Sequence, residues 1–230
     1  MKIDIITLFP EMLDGFLNTS IMKRASDNNY VDFHVINPRD FTTDKHKTTD
    51  DRPFGGGPGM LMKPEPLFAA VESLKSPFSK VILLSPIGKS FSHNIAKNMA
   101  LDESHLIFIC GHYEGVDERV HEYLADEIIS IGDYVLTNGA LASAVIIDAV
   151  VRLIPDVIGG GEEAINDESF SSGLLDYPQY TRPAKFRNMQ VPDVLLSGNH
   201  EQILKWRKSE ALKKTYNKRS DLLRNQDKKD

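Results

Sequence analysis

The first apolar run, Lys2 to Leu8, is largely β-branched and nearly unbroken, the pattern of a central strand buried on both faces. Phe9-Pro10-Glu11 stops it and opens a helix, with proline at a position where its missing N–H costs little. Ser20 to Asn28 predicts a second helix ending at the turn Asp27-Asn28-Asn29, and Tyr30 to Ile36 alternates as a second strand. Asn37 to Met62 is long, polar and without a period. Order returns with a helix over Pro64–Leu74, a strand over Lys80–Leu84, a helix over Ser92–Met99 and a strand over His105–Cys110. A helix over Asp117–Leu124 and a short strand over Glu127–Ser130 follow. Ala140 to Leu153 is apolar almost all round, which reads as a buried helix. Strands alternating with helices predict an α/β domain whose parallel sheet is covered on both faces.

Three loops follow three successive strands: Ser85-Pro86-Ile87-Gly88, Gly111-His112-Tyr113-Glu114-Gly115 and Ile131 to Gly139. In a parallel sheet such loops gather at one edge, where small molecules bind. The 131–139 loop carries glycines near both ends, so its backbone can approach a ligand closely. With Tyr134, Val135 and Leu136 it suits an adenine and a thioether better than a pyrophosphate. Neither G-x-G-x-x-G nor G-x-x-x-x-G-K-[ST] occurs in these loops. Taken alone, the stretch reads equally as a strand-to-helix turn that binds nothing. The 37–62 segment sets Asp50-Asp51-Arg52 beside Gly55, Gly56, Gly57 and Gly59, which reads as a functional loop or as a flexible lid. Arg152 ends the apolar helix, and Asp167 and Glu168 lie in the linker beyond it. A cation and a carboxylate meeting at one pocket would serve proton abstraction. An arginine complementing the helix macrodipole is the other reading.

Length and charge refine this outline. The 230 residues suit one large domain, or one domain with a small appendage. A single cysteine excludes an internal disulfide and, with no apolar run of about 18 residues and no signal-peptide profile at the start, points to a soluble cytoplasmic protein without membrane contact. Residues 201–230 hold 10 Lys/Arg against 5 Asp/Glu, whereas residues 1–200 hold 17 against 28. A basic tail on an acidic body suits a polyanionic partner, or else it is a solvated helix face. Gly159-Gly160-Gly161-Glu162-Glu163 marks a linker with a boundary near 156–170. Two helices are expected beyond it, over 199–214 with Trp206 and over 219–226. The histidines are scattered, and no Cys/His set has metal-ligand spacing.

Six motifs, in order, carry a resemblance. They are Leu8-Phe9-Pro10-Glu11-Met12; Asp50-Asp51-Arg52-Pro53-Phe54-Gly55-Gly56-Gly57-Pro58-Gly59-Met60; Cys110-Gly111-His112-Tyr113-Glu114-Gly115-Val116-Asp117-Glu118-Arg119; Ile131-Gly132-Asp133-Tyr134-Val135-Leu136; Tyr180-Thr181-Arg182-Pro183; and Val194-Leu195-Leu196-Ser197-Gly198-Asn199-His200. Together the chain resembles the bacterial tRNA (guanine-N1)-methyltransferase family, TrmD, of the SPOUT superfamily. The resemblance implies a SPOUT-type parallel sheet ending in a C-terminal trefoil knot, with S-adenosylmethionine bound bent inside the knot. It also implies a small all-α C-terminal domain. The corresponding layout is a cofactor-binding domain over 1–158, a flexible linker over 159–170 and a helical tRNA-binding domain over 171–230. Further implications are a homodimer with a shared active site, methylation of guanosine 37 in tRNA, and dependence on magnesium.

Carried over by motif, Leu84, Ser85, Pro86, Gly111, Tyr113, Glu114, Ile131, Gly132, Asp133, Tyr134, Val135, Leu136, Asn138 and Gly139 would form the cofactor site. Asp50, Arg52, Gly56, Gly59, Asp176, Asn199 and His200 would lie on the substrate side. Arg152 matches the arginine that stabilises charge on guanine O6. The general base is Glu168, which precedes Ser169-Phe170 as the family's aspartate does, or Asp167, reached by counting from Arg152. Asn138 stands where the family usually has Gly, and Ala140 and Ala142 where it has Glu and Pro. Two rival readings remain from these residues: a catalytically silent tRNA-binding protein of this fold, and a SPOUT methyltransferase for another nucleoside.

Overall fold

A computed structural model of the chain describes residues 1–102, 104–159 and 168–224. They form two compact units, Met1–Ile158 and the region from Gly159 onward.

The first unit is built on five strands: β1 (Lys2–Ile6), β2 (Asp32–Ile36), β5 (Ser79–Ser90), β6 (His105–Cys110) and β7 (Glu127–Ser130). They pair in the order β2-β1-β6-β5-β7, every neighbour parallel. β6 is buried at all six positions, as its unbroken apolar sequence requires between two covered faces. On one face α3 (Pro64–Leu74) and α5 (Glu118–Tyr123) close over Val81, Leu83, Ile107 and Ile109. By the two-residue alternation of a strand, Ile82, Leu106 and Phe108 point to the other face. There α6 (Ala140–Val151) packs on β6, on α4 (His93–Asp102) and on α2 (Ser20–Asp27). β6 enters between β1 and β5, whereas β7 lies beyond β5, so the chain reverses its lateral progress at the β5–β6 pair. A crevice opens at such a reversal, beyond the carboxyl ends of the strands.

The opposite edge is tied by charge. Asp4 is fully buried on β1, and its carboxylate accepts from His105 Nε2 at 2.7 Å and His34 Nδ1 at 3.0 Å, with Lys2 Nζ at 3.0 Å. His105 Nδ1 in turn meets Ser79 Oγ at 2.7 Å. One carboxylate thus links side chains from β2, β1, β6 and β5, and its hydrogen bonds offset the cost of burying it.

Several elements differ from the sequence reading. The expected loop 85–88 lies within β5, because Ile129 of β7 pairs with both Leu84 and Lys89 and the four residues between are extruded. Gly88 permits this: a Cβ there would lie 2.5 Å from Ile129 N and 2.6 Å from the Ile128 carbonyl carbon. The 37–62 segment is not structureless. It holds a 3-10 turn, Pro38–Phe41, and an antiparallel pair, β3 (Asp50–Asp51) with β4 (Leu61–Met62). α6 is not enclosed all round, since Leu141 and Val145 are about half exposed.

In the second unit the all-α expectation is corrected by a hairpin, β8 (Lys185–Phe186) with β9 (Met189–Gln190). Its two-residue turn, Arg187-Asn188, sets Arg187 at φ 55°, the left-handed conformation a tight hairpin demands. The remaining described elements are the helices Asp193–Leu196, His200–Lys218 and Ser220–Arg224. Thr215, fully buried, donates to Ala211 O at 2.7 Å and accepts from Leu175 N at 2.9 Å, which pins the 168–176 turn to the long helix. Linker residues 160–167 and the expected helix end at 225–226 lie outside the described residues.

Candidate functional site

The extruded 85–88 segment, the 111–115 loop and the 131–139 loop converge at the carboxyl ends of β5, β6 and β7 around an open cleft of about 540 Å³. Of the fourteen residues expected in the cofactor site, only Asp133 does not line it.

Backbone contact holds the convergence together. Gly139 N donates to Gly111 O at 2.8 Å, and the adjacent pair His112 and Asn138 forms an antiparallel bridge. The approach is so close that a Cβ on Gly139 would lie 2.8 Å from Cys110 Cα and 3.0 Å from Gly111 N. Glycine is required there for space; its φ of −79° is ordinary. At the other end of the loop Gly132 has φ 151°, and the Tyr134 ring occupies the place its Cβ would take. Asn138 Oδ1 accepts from Ala140 N at 2.9 Å, satisfying one of the free N–H groups at the start of α6. Its Nδ2 reaches Met12 Sδ at 3.3 Å. The asparagine therefore fixes the loop at both its helix end and the 3-10 turn that carries Met12.

One rim comes from the long polar segment. Glu114 N donates to Met60 O at 3.1 Å, Met62 N to Gly115 O at 3.0 Å and Asp117 N to Met62 O at 3.0 Å. A Cβ on Gly59, at φ 82°, would strike the Glu114 side chain. Gly59 is thus held against a cleft residue, whereas Gly56 is exposed and closes a turn onto Pro53 O. Asp50 pairs with Met62, and Arg52 is exposed, its N–H donating to Asp51 Oδ1 at 2.7 Å. At the start of α5, Arg119 donates twice to the Asp117 carboxylate, at 2.7 and 2.8 Å, and these bonds hold that carboxyl below its ordinary pKa. Cleft residues without a sequence signal of their own include Leu61, which arrives from the distant long segment, and His121 on α5. His121 Nδ1 lies 3.4 Å from Glu118 Oε2 without hydrogen-bond alignment. His112 sits edge-on to both Phe9 and Tyr113, with ring centroids 5.0 and 4.3 Å apart.

The wall and floor fit a flat heteroaromatic group joined to a thioether. Ile131, Val135 and Leu136 present carbon, two glycines leave room for close approach, and backbone N–H and C=O groups supply directional bonds.

Other expected residues lie elsewhere. Arg152 is the C-cap of α6 and does not line the cleft. Ten residues of helix separate it from the lining residue Ala142, about 15 Å. Glu168, Asp176, Asn199 and His200 belong to the second unit. There Glu168 O accepts from Ser171 N and Oγ, Asp176 N donates to Ser169 Oγ at 2.9 Å, and Asn199 Oδ1 caps the helix that His200 begins. Asp167 lies outside the described residues.

Cys110, against which Gly139 packs, is buried, and burial pushes its thiol up to about 12, outweighing the opposing influence of the neighbouring Ser143 hydroxyl. We expect the native thiol to resist alkylation at pH 8 and to react fully in urea. Gly139→Ala, which forces the two loops apart, should raise native labelling at least about tenfold and weaken ligand binding in the cleft. Unchanged labelling by mass spectrometry would refute the close docking.

A family model described as tRNA (Guanine-1)-methyltransferase TrmD matches residues 1–225. Curated relatives named tRNA (guanine-N(1)-)-methyltransferase are similar over nearly their full length. That of Dictyoglomus turgidum is 57% identical over 97% of this chain and 90% of its own. Those of Geobacillus kaustophilus and Moorella thermoacetica are 54% and 55% identical over 97% of this chain, and over 91% and 90% of their own. The chain belongs to the tRNA (guanine-1)-methyltransferase TrmD family.

Proposed function

We propose that this protein is a cytoplasmic tRNA (guanine-N1)-methyltransferase that takes its methyl group from S-adenosylmethionine and modifies guanosine 37. The observation that carries the reading is the glycine-lined cleft, in which two loops dock backbone to backbone beside an apolar wall. We read the crossing of these loops as the trefoil knot of the SPOUT superfamily; the Gly139–Gly111 bond and the His112–Asn138 bridge support it. Among the described residues no helix is long and apolar enough to cross a membrane.

The donor supplies an electrophilic methyl group. Leu136, Val135 and Ile131, which line the cleft, would pack its flat base, and the polar backbone of the 111–115 and 131–139 loops would orient it. Guanine N1–H is weakly acidic, so a base must take its proton as the nitrogen attacks. Glu168 is our assignment for that base, with Asp167 as the alternative. Arg152 holds the charge that moves onto O6, and the guanine leaves its stack to enter the pocket. Phosphate contacts come from Lys205, Lys208, Lys213 and Lys214, exposed on the helix His200–Lys218, and from Arg207.

A homodimer completes the site in this reading. Leu141, Val145 and Arg152 fall on one stripe of α6 at i, i+4 and i+11, and the two apolar members are exposed. Phe9 and Met12, partly exposed, flank it through the 3-10 turn Pro10–Leu13 that packs on α6. Since Arg152 stands a helix length from the cleft of its own chain, the stripe offers it to the partner's cleft. The departures at Asn138, Ala140 and Ala142 favour no silent variant, because Asn138 supplies a cap and the two alanines are buried in the helix start.

With magnesium and S-adenosylmethionine, a guanosine-37 tRNA transcript should gain 1-methylguanosine, and the same transcript with adenosine at 37 should gain nothing. Mass spectrometry of digested RNA reads both; methylation of another nucleoside, or none, would contradict the proposal. Arg152→Ala should abolish turnover, by at least about a hundredfold, and leave the donor Kd within about twofold. Equal loss of both by calorimetry would remove Arg152 from the charge-stabilising role.

A further inference from the structure

From Tyr177 to Pro192 the chain carries Arg182, Lys185 and Arg187 and no acidic residue, in a protein whose net charge is −6. Every residue from Gln179 to Gln190 is exposed. Within this stretch β8 and β9 pair Phe186 with Met189, so two large apolar side chains stand together on one face of the hairpin. They are 55% and 62% exposed. The Arg187 guanidinium lies over the Phe186 ring, 5.3 Å from its centroid. A hairpin with two residues per strand is marginal by itself. This one is held by Val191 N donating to Ala184 O at 2.9 Å and by Gln190 Nε2 donating to Asp193 Oδ1 at 3.3 Å.

A solvated phenylalanine and methionine, with Arg187 over the ring and Lys185 and Arg182 in the same acid-free stretch, suit a partner that is flat, aromatic and anionic. An unpaired nucleotide has those properties: its base stacks on the ring and guanidinium, and its phosphate meets Lys185 or Arg182. A second copy of the chain would meet the cations with its carboxylates and has exposed rings of its own, such as Phe78 and Tyr123, but it brings no phosphate; the sedimentation measurement below separates it from RNA. We propose that the Lys185–Gln190 hairpin is a stacking platform for an unpaired base of the RNA substrate, separate from the basic helix that follows it. The proposal rests on the tRNA reading above and names a specific contact within it.

The test uses the full-length protein and a tRNA transcript, with binding read by fluorescence anisotropy at fixed salt and without turnover. Phe186→Ala should raise the tRNA Kd about tenfold. Phe186→Leu, which keeps apolar bulk but removes the ring, should behave like alanine, and Phe186→Trp should bind as wild type. Lys185→Gln should lower the slope of log K against log salt by about one. The donor Kd, melting temperature and sedimentation coefficient should match wild type in each variant. Wild-type RNA binding by Phe186→Ala or by Phe186→Leu overturns the platform. A changed sedimentation coefficient also overturns it, by making the hairpin a contact between subunits. A wild-type protein that binds RNA but transfers no methyl group overturns the enzymatic reading alone, leaving the platform to stand on its own Kd.

Discussion

The site depends on how closely two loops can approach. Gly139 presses its Cα against Cys110 and its N–H against Gly111 O, at a separation no side chain would allow. Because the contact is made by backbone, its geometry is fixed by chain path and does not hinge on rotamers. α6 begins at that point, so its first turn is anchored to the end of β6. Asn138 then secures the same junction from the other side, through Ala140 N and Met12 Sδ. The cleft is a consequence: three strand ends held together leave a walled space, lined by backbone polar groups and aliphatic carbon.

The rest of the first unit keeps those strand ends in register. At the far edge the Asp4 carboxylate gathers His34, His105 and Lys2, and through His105 reaches Ser79. Four strands are therefore linked toward their amino ends by the Asp4 carboxylate and the hydrogen bonds around it, and β6 and β7 are joined at their carboxyl ends by loop backbone. The extruded 85–88 segment shows what such clamping permits. β5 extrudes four residues, three of which line the cleft, and resumes pairing with β7 at Lys89, where Gly88 lets the two backbones pass.

Much of this was legible beforehand where local pattern and tertiary environment agree. β6 reads as buried because His105 to Cys110 contains no alternation, and α3 begins at Pro64 because proline suits a first helical turn. The 111–115 and 131–139 loops were visible as glycine-bearing breaks after apolar runs, whereas the extrusion of 85–88 within β5 depends on pairing with β7 that no local pattern shows. Leu61 and the Glu114–Gly59 contact were not, because they join positions about fifty residues apart through a segment with no period. The exposed stripe on α6 was hidden for a different reason. Leu141 and Val145 are as apolar as their buried neighbours, so composition cannot separate the core face of the helix from its exposed one. The hairpin in the second unit escaped because two-residue strands are too short for a pattern. Most of the residues carried over from the family motifs line the cleft, and the structure supplies a steric reason for glycine at three of them, Gly59, Gly132 and Gly139.

The most direct measurement is native-state hydrogen exchange at the Gly139 amide, with and without S-adenosylmethionine. The account predicts that this amide, bonded to Gly111 O, is the slowest to exchange in the 131–139 loop and slows further when the donor binds. Exchange as fast as the exposed amides of Val135 and Thr137, unaffected by the donor, would contradict it.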